Sequence, residues 1–148
     1  MTAAKKLKRL EKLKDIRERL QDETKGRMAE ARKKMETLEV RSDVLDGTWQ
    51  DVLRDFREKS RGGDLTPEEL WFLRNGIDSL ESEMEEVGRA IRDTEEELEE
   101  IRQELRQRHV ETKVVEVVLE KKKKKIRRDQ EKSEQKELDD LACMVYLK

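Results

Sequence analysis

The stretch Glu58–Leu70, EKSRGGDLTPEEL, ends one helix and starts another. Gly62 and Gly63 can take the left-handed backbone conformation that closes a helix. Thr66 can then cap the next one, Pro67, the only proline, sits at the first helical position, and Glu69 completes a Thr-x-x-Glu capping box. One short turn between two long amphipathic segments predicts an antiparallel pair.

Downstream of the turn, Leu70, Leu73, Ile77, Leu80, Met84, Val87 and Ile91 recur in alternating steps of three and four. The ladder continues through Thr94, Leu98, Ile101, Leu105, Arg108, Thr112, Val115 and Leu119. This seven-residue repeat places one narrow seam along a helix and demands a partner helix. Upstream, a second ladder runs Met28, Ala31, Met35, Leu38, Ser42, Leu45, Trp49, Val52, Phe56, preceded by Leu13, Ile16 and Leu20. The earlier segment joins through Thr24 by two successive steps of four, which reads as a stutter, and Gly26 beside it predicts a local irregularity. The expected fold is therefore all-α: a single antiparallel coiled-coil hairpin with helix one over about 4–60, a turn over about 61–66 and a longer helix two over about 67–145. Folding about residue 63 sets Trp49 near Ile77, Phe56 near Leu70 and Leu7 near Leu119, in a rod on the order of 85 Å. Helix two then outruns helix one by roughly 20 to 25 residues, from the lysine run onward.

Composition supports this reading. Of 148 residues, 49% are charged and 33% hydrophobic, too little apolar material for a compact core. Basic and acidic residues number 35 and 37, nearly cancelling, and one proline with six glycines favours long helices over disorder. A single cysteine excludes an intramolecular disulfide. No secretory signal and no run long enough to span a bilayer is present, so a soluble cytoplasmic protein without membrane insertion is expected.

Charge is segregated along the chain. Between Asp78 and Glu100 eleven acidic groups face Arg27, Arg32, Lys33, Lys34 and Arg41 of the first helix, a pattern that selects register more than it stabilises. At the open end Lys5, Lys6, Lys8, Arg9, Lys12 and Lys14 meet Lys121, Lys122, Lys123, Lys124, Lys125, Arg127 and Arg128. These like charges point to a ring or groove of carboxylates around the tip, with a solvated basic end as the alternative. Nucleic acid fits poorly: the chain folds back instead of forming a parallel zipper, and no aromatic residue is interleaved for stacking. Trp71 and Phe72 fall at outward positions next to the turn, where they either meet a partner or are covered by Leu65 and Phe56. His109 reads as a solvated surface residue, and Asp139 with Asp140 lacks any nucleophile or metal-ligand set. No catalytic residue, metal site or cofactor is expected.

The ending RRDQEKSEQKELDDLACM resembles the FliJ family of flagellar type III export and its injectisome relatives, the YscO proteins. Glu134, Gln135, Lys136, Glu137, Asp139, Asp140 and Ala142 carry the likeness, with Asp140 in place of the commoner Glu, and VVEVVLEKKKKK is similar to the family's apolar, Glu, Leu, basic run. The resemblance implies a non-enzymatic stalk whose terminal end enters an export ATPase hexamer and which also meets the cytoplasmic domain of the export-gate membrane protein. Export chaperones are further implied partners, and the location is peripheral, at the cytoplasmic face of the export apparatus that serves motility. On this chain the ring-contact residues would be the lysines and arginines at 5, 6, 8, 9, 121–125, 127 and 128, with Gln135, Asp139, Asp140 and Leu141. The gate contact would be Leu73, Ile77, Leu80 and Met84, with Trp71 or Phe72 substituting for a family aromatic that corresponds to Gly76. A monomer in isolation is expected under this reading. The competing readings are the injectisome counterpart of the same stalk and a structural coiled-coil scaffold.

Overall fold

A computed structural model describes residues 2–147. Two helices account for nearly all of them, α1 (Ala3–Gly62) and α2 (Pro67–Tyr146), and they pack against each other as an all-α hairpin with no strand among the described residues. Thr2 caps α1, its hydroxyl accepting from the Lys5 amide at 3.4 Å and its carbonyl from the Lys6 amide at 3.2 Å. Gly63 turns the chain with φ of 69°. Thr66 then accepts from the Glu69 amide at 3.2 Å, so the threonine half of the expected capping box is formed.

Because Gly63 alone among the described residues has a positive φ, Gly63→Ala is expected to lower stability by about 1 kcal/mol, seen as a lower urea midpoint with an unchanged slope. Gly62→Ala is the control. It ends α1 with ordinary helical geometry, its new Cβ would meet only Asp64 Oδ2 at 3.9 Å, and it should not destabilise.

Residue contacts group the described chain into two units, 26–103 around the turn and 2–25 with 104–147. In the turn unit the core is Met28, Ala31, Met35 and Leu45 from α1 with Leu98, Ile101 and Thr94 from α2, the last only 1% exposed. Trp49 donates its indole N–H to Glu81 Oε1 at 3.3 Å, Lys34 pairs with Glu97 at 3.8 Å and Arg41 with Glu83 at 3.4 Å. In the open unit Thr112, Val115 and Leu119 are buried, with Thr24 of α1. Arg17 pairs with Glu111 at 3.1 Å, and the Gln21 amide meets His109 Nδ1 at 3.2 Å.

These contacts correct the register. Trp49 reaches Glu81, beyond Ile77, so partners sit about three residues further along α2 than folding about residue 63 gives. The reason is geometric. In antiparallel helices a step of three on one strand must meet a step of three read backwards on the other, so Trp49 and Val52 lie level with Leu80 and Ile77. Pairing Trp49 with Ile77 would set Val52 against a non-seam position.

They also correct the seam of α1. Leu13 is 37% and Ile16 52% exposed while Leu20 is half-buried, and the seam before Met28 runs through half-buried Leu7, Leu10, Lys14, Arg17 and Gln21 and buried Thr24, in unbroken steps of three and four. No stutter exists, and α1 runs without interruption through Gly26, which has open space around it. Polar side chains hold the repeat because their stems pack while their ends find partners, as Arg17 and Gln21 do. The buried seam threonines satisfy themselves locally: Thr24, Thr94 and Thr112 each donate to the carbonyl four residues back, at 2.9, 2.7 and 2.9 Å.

Candidate partner-binding surfaces

In the open unit the antiparallel register brings the start of α1 level with the lysine run of α2. Lys5, Lys6, Lys8, Arg9, Lys121, Lys123, Lys124, Lys125, Arg127 and Arg128 are exposed, and Lys122 is half-buried at the next seam position. Among the described residues none of these cations forms an ion pair, whereas Lys14 pairs with Glu18 at 3.7 Å. Beyond Ile126, the last half-buried position, every described residue of α2 is exposed. The helix thus continues alone from Arg127 to Tyr146, past an α1 that begins at Ala3. This overhang carries Gln135, whose amide donates to Asp139 Oδ1 at 3.1 Å, as well as exposed Asp140 and Leu141. Leu138, Leu141, Met144 and Val145 are 58–75% exposed there, more apolar surface than a helix tip in water needs.

The turn unit presents a different face. Trp71 and Phe72 are 67% and 71% exposed, so neither Leu65 nor Phe56 covers them. They line a shallow depression of about 610 Å³ with Asn75, Gly76, Asp78 and Ser79. Leu73, Ile77, Leu80 and Met84 do not join them. Those four are half-buried at seam positions facing α1, and only their edges reach the surface.

Sequence reasoning missed a third surface. Val110, Val114, Val117 and Val118 are 43–59% exposed on α2 of the open unit, in addition to Leu13 and Ile16 on α1. Counting the strict repeat back from Met28 would have found the α1 pair, because it lands on Gln21, Arg17 and Lys14 and leaves Leu13 and Ile16 outside.

Among the described residues no cluster of His, Cys, Asp and Glu could hold a metal ion, and no helix is long and apolar enough to cross a membrane. The surfaces consist of charge steps and exposed apolar side chains.

The family model described as flagellar FliJ protein matches residues 6–148. The chain belongs to the FliJ family. The match covers α1 from Lys6 onward, all of α2 and the overhang of this FliJ-family chain, so every surface residue above except Lys5 lies within it. Comparison with curated proteins and with solved structures gives no significant match.

Proposed function

We propose that this chain is a non-enzymatic stalk of the flagellar type III protein export apparatus, working at its cytoplasmic face. Its overhang enters the pore of the export ATPase hexamer, stimulates hydrolysis, and couples the ring to the cytoplasmic domain of the export-gate protein. The observation that carries this reading is the single helix Arg127–Tyr146 leaving a two-helix shaft at a step of unpaired basic residues. A single helix about 10 Å wide fits a narrow ring where the paired shaft does not. Its apolar end packs against pore loops while the cations at the step meet carboxylates on the rim. At the other unit, Trp71 and Phe72 supply the exposed aromatic anchors that partner surfaces favour, and they serve the gate contact.

Titrating the purified chain into its cognate ATPase, under conditions where the hexamer assembles, should raise ATP hydrolysis; no rise would sink the reading. Replacing Lys121–Lys125 with Gln should weaken the apparent affinity about tenfold, from five rim charges worth a few tenths of a kcal/mol each. Raising the salt should shrink that difference. Binding of the unmodified chain to duplex DNA should stay negligible.

A further inference from the structure

The overhang and the exposed valines of the open unit belong to one pattern. On the outward face of α2, away from the seam, a second ladder in alternating steps of four and three runs from Val110 to Val145, and all of its members are exposed. Its apolar members lie at the two ends, Val110, Val114 and Val117 at one and Leu138, Ala142 and Val145 at the other. The seam of α2 packs on α1, whereas nothing in the hairpin covers this outer ladder.

We propose that a second copy of this chain covers it, the two α2 helices crossing tip to tip in an antiparallel pair about a two-fold axis at Ile126. The same step-matching rule that sets the register inside the hairpin picks this axis. It sets Val110 level with Ala142 and Val114 level with Leu138 of the other copy, so each overhang lies on its partner's valine face. Symmetry repeats every contact twice, and the two patches are filled together.

Charge makes the same choice. About this axis Lys113 faces Asp139, Glu120 faces Lys132 and Lys121 faces Glu131. Opposite charges flanking a seam fix orientation and register in this way. At the axis itself Lys124 faces Arg128 and Lys125 faces Arg127, like against like and exposed to solvent. The pair is therefore weak and reversible, and the expected monomer holds at low concentration. The contact shields the apolar overhang when it is not engaged elsewhere, and a copy whose overhang is in a ring cannot pair.

Light scattering on the full chain should show a concentration-dependent dimer that Leu138→Glu abolishes without changing helicity or the melting temperature. Site-specific oxidation gives the sharper reading. In a Cys143→Ser background, Val114→Cys with Leu138→Cys places two thiols about 36 Å apart on one continuous helix, so they cannot join within a chain. Mild oxidation should yield a covalent dimer whose linked peptides contain residues 114 and 138, while Val44→Cys with Leu138→Cys, drawing on an exposed valine of the turn unit, should not. A monomer up to several hundred micromolar, cross-links only between like positions, or equal cross-linking of the Val44 control would overturn the proposal. So would recovery of wild type as monomers bound to phosphatidylglycerol vesicles through the Val114 face, which would assign that face to a lipid surface. None of these outcomes depends on ATPase stimulation, which is measured at concentrations where the chain is monomeric.

Discussion

Ile101→Ala is expected to cost about 3 kcal/mol of unfolding free energy, the largest single-residue loss in the turn unit. Ile101 is 2% exposed and lies level with Met28, itself 7% exposed, so truncation leaves a cavity between two side chains that cannot both relax into it. Val114→Ala removes a branched side chain that is 56% exposed. It should change stability by less than about 0.5 kcal/mol, since Ala is the better helix former. Urea denaturation followed by circular dichroism at 222 nm reads both. Equal losses would mean that the outer ladder is already packed within the monomer, which would contradict the exposures on which the paired-copy proposal rests.

Ending the chain after Ile126 is expected to abolish ATPase stimulation while leaving the hairpin's melting temperature essentially unchanged. Every described residue removed is exposed, and none forms a hydrogen bond or ion pair with α1, so the truncated chain loses no packing of its own. What disappears is the single helix that reaches past the shaft. Stimulation at wild-type level by the truncated chain would show that the paired shaft and its basic step act alone. The same truncation should also remove the concentration-dependent dimer, because Leu138 and Ala142 go with it. Lys121–Lys125→Gln separates the two activities: it weakens the ring contact and removes only one of the three opposite-charge pairs about the two-fold, that of Lys121.

The hairpin itself was legible in one turn and two ladders. Gly62, Gly63, Thr66 and Pro67 act through local backbone chemistry, which needs no knowledge of the partner, and α1 ends at Gly62 and α2 begins at Pro67. The overhang followed from unequal helix lengths. Three things did not. The register needed the rule that three-residue steps must coincide on antiparallel strands, which shifts partners by about one seam position. The seam before Met28 follows phase and not hydrophobicity: Leu13 and Ile16 are more apolar than Arg17 and Gln21, yet continuity with Met28 and Ala31 keeps the polar pair inside. The exposure of Trp71 and Phe72 is not legible from spacing, because whether a turn folds over its neighbours is decided by distances that spacing does not carry.

That the chain forms two helices, where it reverses, and which end carries the charge can all be read along the chain. These depend on residues near one another along the chain. Only the tertiary structure decided which face of each helix is covered, because burial is a property of the pair. Once α1 takes up the seam of α2, the ladder from Val110 to Val145 is left in solvent, and a surface that composition alone cannot distinguish from core becomes one that a partner can use.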